Sequence, residues 1–477
     1  MRPKLWKHQR DCLAASAEMP AAAIHWEPRV GKSRVIIETA EYLAGRNTID
    51  AAVVIAPNGV HLNWTRDQLP AYWDRPGTVV IEWRSGRAGT QRFQRELAAA
   101  LDHPGFVWIT SNIEAVSTKR LYDYLTKFIK ARRVLLVVDE SHYVKNPKAQ
   151  RTRAVMKLSK GCPFRRTLTG TPTPQGPFDL WSQFRILDPA ILDGLLYHPF
   201  KQRYGVWKKV KYGQGPLHDE LVEYRNLDEL AARIAPFTFE SNKADLFDLP
   251  DRVFARRYFE MPKEHARVYA TLRDELVALL ESGETIAAPL AIVNLMRLQQ
   301  ISRGHVTSDT GEHVDLPGPY PADDAVIEMI QANTRRTIVW CRFVRDCARL
   351  EETLLAAGIP TIRCDGGTPS GDRPDLLVRF RDPDDPVRVW VGTPATGGLG
   401  IDLGMASLMI FHSHGFDLAQ RLQALERNYG TTQEAGRVDV VDLVAVDTID
   451  ERALAVLERK EDLAKLLTRD ALKELLK

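Results

Sequence analysis

The chain has 477 residues, of which 44% are hydrophobic and 27% are charged, as in ordinary globular proteins, and this composition excludes a largely disordered protein. Lys and Arg number 65 against 62 Asp and Glu, and the net charge of +3 excludes nucleic-acid binding through overall charge, so any such surface must be local. The length is too great for one hydrophobic core and predicts two domains.

The cysteines and the N-terminal residues indicate a reducing, cytoplasmic setting. The five cysteines are scattered without a Cys-x-x-Cys pair, which argues against both a zinc site and a disulfide framework. The first residues lack the apolar stretch of a secretion signal, and no apolar run reaches the length of a membrane span. We therefore expect a soluble cytoplasmic protein with no membrane partner.

Predicted strands and helices alternate along the first half of the chain. A short helical stretch carrying Gln9 comes first. Continuous apolar runs, typical of parallel strands covered on both faces, follow at 21–24, 51–57, 78–82, 105–110 and 133–138. The segments between them are long enough for crossover helices, which predicts an open, doubly wound α/β lobe. In such a lobe the functional residues lie in loops beyond the carboxyl ends of the strands.

The sequence Gly31-Lys32-Ser33 follows the first predicted strand and precedes an apolar helical run. Backbone amides, an ammonium group and a small hydroxyl in this order are what phosphates and Mg²⁺ require. Trp26 and Arg29 stand at positions where glycine is common in such loops, so the motif is incomplete. An ordinary helix start is the alternative interpretation.

Two acids and a small polar loop follow later strands. Asp139 and Glu140 come directly after the apolar run that ends at Val138, and such a pair suits Mg²⁺ binding and the polarisation of an attacking water. Paired acids that only cap the next helix are the alternative, which the upstream Gly-Lys-Ser loop disfavours. Residues 169–172, Thr-Gly-Thr-Pro, are either a simple turn or a polar relay from the nucleotide pocket.

In this order the motifs resemble those of the Swi/Snf-like family of superfamily-two helicase-like ATPases, including its small phage and bacterial members. The resemblance continues at residues 239–243 and 294–301 and covers nearly the whole chain. It implies a DNA-dependent ATPase or DNA helicase with ATP and Mg²⁺ as cofactors and double-stranded or branched DNA as partner. The compactness and lack of chromatin-reading modules favour a phage or bacterial source, and we expect a monomer.

The resemblance also assigns roles to residues of the first lobe. Gln9 reads adenine, Gly31, Lys32 and Ser33 hold phosphates, Ser33 and Asp139 hold Mg²⁺, and Glu140 activates water. The DNA contacts of this lobe fall on Pro57 and Asn58, within a motif that runs to Asn63 and Trp64, and on Ser111, Asn112 and Thr171.

A second set of buried strands, at 337–341, 360–364, 387–391, 407–411 and 438–446, predicts a second α/β lobe. The resemblance places DNA contacts at Arg342, Gly366, Thr393 and Thr396, nucleotide contacts at Gly400 and Asp402, and catalytic roles at Gln423 and Arg427. It further implies that ATP binds in a cleft between two lobes whose closing and reopening moves DNA.

The expected fold class is therefore two RecA-like lobes with doubly wound parallel sheets, helical insertions and a C-terminal helix. The first lobe is expected over residues 1–240, with a helical protrusion at about 173–235. The second is expected over residues 241–477, with a helical insertion at about 263–335 and an amphipathic helix at 448–477.

Gly430 departs from the family pattern, which has a second arginine three residues after Arg427. Either Arg421 or another nearby cation substitutes for it, or the chain is a weak ATPase, or residue 430 is an altered position. Three functions follow as hypotheses: an ATP-driven translocase or remodeller of double-stranded DNA, a fork-remodelling or unwinding and annealing helicase of phage recombination and replication, and a nucleotide-gated DNA clamp. The lack of an obvious wedge insertion slightly disfavours unwinding.

Overall fold

The computed structural model describes residues 3–211, 217–247, 249–281, 288–307, 312–369, 371–397, 401–430, 433 and 435–459. The chain divides into two compact units, Met1–Phe247 and Asp248–Lys477. The division falls a few residues beyond the expected boundary at 240, because strand Thr238–Ser241 pairs with strand Ala21–Trp26 in the sheet of the first unit. In the described residues, no helix is both long and apolar enough to span a membrane.

The first unit is built on a seven-stranded sheet in which all neighbouring strands are parallel. The strands of this unit are β1 (Ala21–Trp26), β2 (Ala51–Ala56), β3 (Val79–Glu82), β4 (Val107–Asn112), β5 (Val134–Asp139), β6 (Phe164–Leu168), β7 (Gly205–Lys211), β8 (Leu217–Tyr224) and β9 (Thr238–Ser241). The order across the sheet is β3-β4-β2-β5-β6-β1-β9. The apolar runs of the sequence coincide with β1 to β5, which confirms the doubly wound parallel sheet of this lobe.

Helices cover both faces of this sheet. They are α1 (Lys7–Ser16), α2 (Lys32–Gly45), α3 (Val60–Asn63), α4 (Leu69–Tyr72), α5 (Gln91–Leu101), α6 (Lys119–Ala131), α7 (Gln150–Ser159), α8 (Leu180–Leu187), α9 (Tyr197–Tyr204) and α10 (Leu227–Ile234). Alternate residues of β2 enter two different cores: Val53 packs in one with Leu97 of α5, and Val54 packs in the other with Ile36 of α2. A strand buried on both faces requires the continuous apolar runs seen in the sequence.

The expected helical protrusion contains α8, α9 and α10, but it also contains an antiparallel hairpin of β7 and β8. Lys208 and Lys209 of β7 lie opposite Glu220 and Asp219 of β8. Opposite charges on facing strands stabilise such a pair, so the charges of these two lysines are partly neutralised within the hairpin itself.

The second unit contains a six-stranded sheet, also parallel throughout, in the order β10-β17-β16-β13-β15-β14. The strands are β10 (Asp251–Phe259), β11 (His305–Thr307), β12 (His313–Asp315), β13 (Thr337–Trp340), β14 (Thr361–Cys364), β15 (Val389–Gly392), β16 (Leu408–Phe411) and β17 (Arg437–Ala445). The five strands expected in this half are β13 to β17, so the second parallel-sheet lobe is confirmed as well. The strand β10 was not expected.

The helices of the second unit are α11 (Lys263–Glu281), α12 (Ala288–Ser302), α13 (Pro321–Gln331), α14 (Val344–Ala356), α15 (Arg373–Arg381), α16 (Pro394–Gly397), α17 (Leu418–Leu425) and α18 (Ile449–Arg459). The expected insertion at about 263–335 contains α11, α12 and α13 together with the short hairpin of β11 and β12. Of the expected C-terminal helix, α18 is described, and residues 460–477 lie outside the described part of the chain.

A buried charge network joins α13 and α14 to β11 and to the residue that follows β16 in the second unit. The Arg349 guanidinium donates to Asp323 at 2.7 Å and to Asp346 at 3.4 Å. The imidazole of His412 lies 2.8 Å from Asp323, and that of His305 lies 3.0 Å from Asp346. Burial raises the pKa of Asp323, but His412 and Arg349 outweigh burial and hold it at about 2. Both buried carboxylates therefore depend on the Arg349 guanidinium and on the adjacent imidazoles.

We expect Arg349→Met to lower the free energy of unfolding by about 3–5 kcal/mol, because it leaves two buried carboxylates without their guanidinium. Arg345→Met on the same helix is the matched control. Arg345 pairs with Asp315 on the surface, where a salt bridge contributes less than about 1 kcal/mol. Urea unfolding followed by circular dichroism measures the free energy of unfolding of both variants. Equal losses of this free energy would contradict a special contribution of the buried network to stability.

Candidate nucleotide site

Five loops of the first unit meet at one edge of its sheet. Because all strands are parallel, the loops that follow β1, β2, β4, β5 and β6 leave from the same edge. These loops carry Gly31-Lys32-Ser33, Pro57-Asn58, the residues after Asn112, Asp139-Glu140 and Thr169-Gly170-Thr171-Pro172. The parallel topology of the sheet thus places the motifs predicted in the first half of the chain at one edge.

The phosphate loop, residues 27–31, ends at the first turn of α2. Gly31 has a φ of 85° and precedes Lys32, the first residue of the helix. A side chain at Gly31 would be strained by this backbone and would overlap the amide of Gln9. The buried Lys32 ammonium donates to the carbonyl oxygens of Trp26 at 2.8 Å and Glu27 at 3.2 Å. The loop thus curls around a cation, as an anion-binding loop requires.

Trp26 and Arg29, the two departures from a glycine-rich loop, have separate structural explanations. Trp26 is the last residue of β1 and its ring is buried in the core. Arg29 takes a φ of 67°, the left-handed conformation that glycine adopts most readily. The backbone therefore keeps the shape of the loop although the side chains differ.

The segment that carries Gln9 packs against the phosphate loop. Gln9 is buried and accepts a hydrogen bond from the Trp6 amide at 2.9 Å. The ring of His8 lies 3.0 Å from the Val30 carbonyl oxygen through its Nε2 atom. The residue predicted to read adenine is therefore positioned beside Gly31.

Asp139 is a buried carboxylate with a donor on each oxygen. Its Oδ2 accepts from the indole of Trp64 at 2.9 Å, and its Oδ1 accepts from the Glu140 amide at 3.0 Å. Burial and the neighbouring Glu140 carboxylate raise the pKa of Asp139 to about 6, although Trp64 and Lys32 act in the opposite direction. Burial, together with Lys32, also lowers the pKa of His25 to about 4. Protonation of His25 is thus disfavoured, whereas a cation near Asp139 would stabilise its carboxylate.

Glu140 is connected to the coupling loop, residues 169–172, through His142. The Nδ1 atom of His142 lies 3.4 Å from Glu140 Oε2 and 3.0 Å from the Thr169 hydroxyl. The same hydroxyl accepts from the Thr171 amide at 3.1 Å. Glu140 has a φ of 49°, an uncommon backbone conformation for a residue with a side chain and one that occurs at functional turns.

A second connection runs through Gln183 of α8. Its Oε1 atom accepts from the Ser141 hydroxyl at 2.6 Å, and its amide donates to the Pro172 carbonyl oxygen at 2.7 Å. Gly170 lies against the phosphate loop, since a Cβ there would be 2.9 Å from Pro28 Cδ. The phosphate loop, the two acids and the coupling loop therefore form one packed group.

These residues fit a nucleoside triphosphate and Mg²⁺ chemically. The ammonium of Lys32 is held by two carbonyl oxygens that anionic phosphate oxygens could replace. The Asp139 carboxylate, with a raised pKa and Lys32 nearby, is a hard oxygen donor of the kind that Mg²⁺ prefers. Ser33 occupies the second residue of α2 and is partly exposed.

The predicted DNA contacts of the first unit differ in exposure. Asn58 is exposed, whereas Asn112 and Thr171 are half-buried. Pro57 and Ser111 are buried, so neither side chain is accessible in this structure. Sequence reasoning treated these five positions alike, because a motif gives the position of a residue but not the direction of its side chain.

The predicted contacts of the second unit also lie beyond the carboxyl ends of its strands. Gly366 is exposed with open space around it, whereas Thr393 is buried. The Arg342 guanidinium bonds to Gln299 and to the His414 carbonyl oxygen, and burial lowers its pKa to about 10. Gly400 and the side chain of Thr396 lie outside the described residues.

Asp402 and Arg427 lie on adjoining segments of the second unit, since the Leu403 amide donates to the Arg427 carbonyl oxygen at 2.9 Å. The carbonyl oxygen of Asp402 accepts from Arg381 at 3.0 Å. Gln423 is buried on α17, and Arg427 is buried in the following short 3₁₀ turn, Glu426–Asn428. The Arg427 guanidinium lies 3.5 Å from the Ile401 carbonyl oxygen, so it is directed at the loop that carries Asp402.

Arg421, one candidate substitute for the arginine missing at Gly430, is engaged elsewhere. It forms a two-point ion pair with Asp442 at 2.6 and 2.9 Å, and its guanidinium stacks 3.5 Å above the ring of Phe411. A buried pair of this kind is costly to break. This geometry disfavours Arg421 as the substitute.

Sequence reasoning missed two side chains that organise the site. Trp64 was grouped with the DNA-contacting motif, yet its indole bonds to Asp139. Gln183 carried no signal, because it is one polar residue in a short helix of which seven of the eight residues are buried. Gln183 is far from Ser141 along the chain, and Trp64 is far from Asp139. A local sequence pattern therefore does not reveal either contact.

Both halves of the chain match models of known protein families. Residues 17–305 match the SNF2-related domain, and residues 322–429 match the helicase conserved C-terminal domain. An uncharacterized ATP-dependent helicase of Mycoplasma genitalium is 23% identical over 92% of this chain and 39% of its own length. The ATP-dependent helicase brm of Drosophila melanogaster is 24% identical over 91% of this chain and 27% of its own length.

One solved structure, the Sulfolobus solfataricus SWI2/SNF2 ATPase core in complex with dsDNA, is 21% identical with a TM-score of 0.43 and covers 99% of this chain and 94% of its own. The chain spans less than two fifths of the length of the two curated relatives named above. The match to the SNF2-related domain, by contrast, covers more than half of this chain. The chain therefore belongs to the SNF2-related family.

Proposed function

We propose that this chain is a DNA-dependent ATPase that uses ATP hydrolysis to translocate on or remodel double-stranded or branched DNA. The observation that carries the proposal is the packed group of phosphate loop, acid pair and coupling loop at one edge of the first sheet. The names of the relatives as ATP-dependent helicases support ATP use and a nucleic-acid substrate. Membership of the SNF2-related family makes DNA the polymer that we expect here.

When bound, ATP with Mg²⁺ supplies a phosphoanhydride whose terminal phosphate can be transferred to water. The Lys32 ammonium, which here donates to the carbonyl oxygen of Trp26, would bind the negatively charged phosphate oxygens. Asp139 and Ser33 hold the cation, and Gln9 lies beside the loop to contact the base. Glu140 accepts a proton from water, and His142 fixes the orientation of its carboxylate.

The coupling to DNA runs through residues 169–172 in this proposal. A change at Glu140 reaches Thr169 through the single imidazole of His142. Thr171, the next predicted DNA contact, is held by the same Thr169 hydroxyl. Asn58, Gly366 and the other accessible predicted contacts are the positions at which we expect the DNA backbone.

Steady-state ATP turnover tests the function directly, with no DNA and with single-stranded, double-stranded and forked DNA. We expect double-stranded or forked DNA to stimulate turnover. Lys32→Ala and Glu140→Gln each lower it by at least about 100-fold, because they remove the phosphate cation and the base. Lys119→Ala, an exposed lysine at the start of α6, is the control and keeps wild-type turnover.

Absence of turnover with every nucleic acid would reject the proposed function. Unwinding of a forked substrate without displacement of a third strand from a triplex favours the fork-remodelling helicase. Triplex displacement without unwinding favours a translocase. The monomeric state, the cytoplasmic location and the phage or bacterial origin remain predictions from the sequence.

A nucleotide-gated DNA clamp with little hydrolysis is the second candidate. It is favoured by Gly430 in place of the family arginine and by the engagement of Arg421 with Asp442. Such a clamp binds DNA tightly when ATP is present and releases negligible phosphate. The catalytic role of Arg427 and Gln423 is a prediction of the first candidate, the DNA-dependent ATPase.

Restoring the arginine discriminates between the two candidates. If the chain is a clamp, Gly430→Arg raises ATP turnover by at least about tenfold, because it restores a cation that stabilises transition-state charge. Gly436→Arg is the matched control, since this exposed glycine has open space around it and receives the same charge. Unchanged turnover in Gly430→Arg would reject the clamp.

A further inference from the structure

The indole N–H of Trp64 donates a hydrogen bond to Asp139, the first residue of the acid pair. The donor and acceptor lie 75 positions apart in sequence, and the Nε1 to Oδ2 distance is 2.9 Å. Trp64 is 1% exposed and therefore cannot contact DNA with its ring in this structure. The resemblance placed it at the end of a DNA-contacting motif, so the geometry gives it a different task.

The local backbone is shaped to deliver this indole. Trp64 begins a one-turn π-helix, Trp64–Gln68, inserted between α3 and α4. π-Helical insertions are rare overall, but those that occur often lie at functional sites, because they widen the helix and change the direction of a side chain. The hydroxyl of the next residue, Thr65, lies 2.6 Å from Glu82 Oε2 and 2.9 Å from the Leu62 carbonyl oxygen, and a hydrogen bond to either acceptor holds the insertion in place.

The hydrogen bond restricts the carboxylate of Asp139. With Trp64 on Oδ2 and the Glu140 amide on Oδ1, each oxygen has one fixed donor and keeps lone pairs for a further partner. Rotation of the carboxylate would break both bonds in a buried site, where an unpaired charge is costly. The orientation is therefore set before any cation arrives.

We propose that Trp64 is a positioning residue whose indole N–H orients Asp139 for the divalent cation. This inference rests on the proposed function, in which Asp139 holds Mg²⁺. Partners that orient metal ligands commonly change metal affinity by about 10–100-fold when they are removed. Trp64 acts on the cation only through Asp139.

Trp64→Phe removes the N–H and keeps an aromatic ring in the core. Trp108→Phe is the matched control, because Trp108 lies in the same aromatic cluster, with ring centroids 6.5 Å apart, and is fully buried. Within the described residues the Nε1 atom of Trp108 has no hydrogen-bond partner. The two substitutions thus remove similar volume, but only one removes a donor to Asp139.

The experiment is a Mn²⁺ titration of the full chain saturated with ADP, followed by electron paramagnetic resonance without DNA or turnover. We expect Trp64→Phe to weaken Mn²⁺ binding by about tenfold and Trp108→Phe to leave it within about twofold. The binding of a fluorescent ADP analogue in EDTA, measured on both variants, is expected to stay at the wild-type level.

Wild-type Mn²⁺ affinity in Trp64→Phe would overturn the inference and leave the proposed function intact. Equal weakening in both variants would also overturn it, since core packing would then explain the loss. Failure of the wild-type chain to bind Mn²⁺ with ADP would overturn the inference together with the metal role in the proposed function. Normal Mn²⁺ binding without any ATP turnover would reject the proposed function alone.

Discussion

A carboxylate buried at the end of β5 sets the requirements for the surrounding loops. Charge in such a place is costly unless donors and a cation are near, and Asp139 has two donors and Lys32 close by. Trp64 comes from the segment after β2, and Lys32 from the segment after β1. Three strands must therefore end at the same edge for this one group to be stable in its charged form.

The coupling loop extends this requirement to the rest of the site. His142 contacts both Glu140 and Thr169, and Gly170 leaves no room between the coupling loop and Pro28. Gln183 anchors the other side of the loop to Ser141. Movement of the coupling loop away from His142 or Gln183 would leave buried polar groups unpaired, so these two side chains hold the coupling loop to the acid pair.

The sequence predicts the sheets well because strands buried on both faces need uninterrupted apolar runs, as in β2 and β5. It does not reveal the β7 and β8 hairpin, whose cross-strand pairs of lysine and acid resemble a solvated helix or loop. Nor does it reveal β10, an edge strand on which Phe254 and Tyr258 remain exposed. Edge and hairpin strands are defined by pairing, which a linear pattern does not contain.

In the candidate site, too, some features could be predicted from the sequence and others could not. The position of Lys32 and Asp139 at one edge of the first sheet could be predicted, because each lies at or beyond the carboxyl end of an apolar strand run. The burial of Ser111, the engagement of Arg421 and the contact from Trp64 could not, since each depends on residues distant in sequence or on side-chain direction.

The link between the acid pair and the coupling loop is tested most directly by a double-mutant cycle on DNA-stimulated ATP turnover. The cycle compares His142→Ala, Thr169→Val and the double variant with the wild-type chain at saturating ATP and duplex DNA. If the imidazole and the hydroxyl act together, the double variant is no slower than the slower single variant, with a coupling energy of about 1 kcal/mol or more. Independent effects that multiply in the double variant would contradict the account.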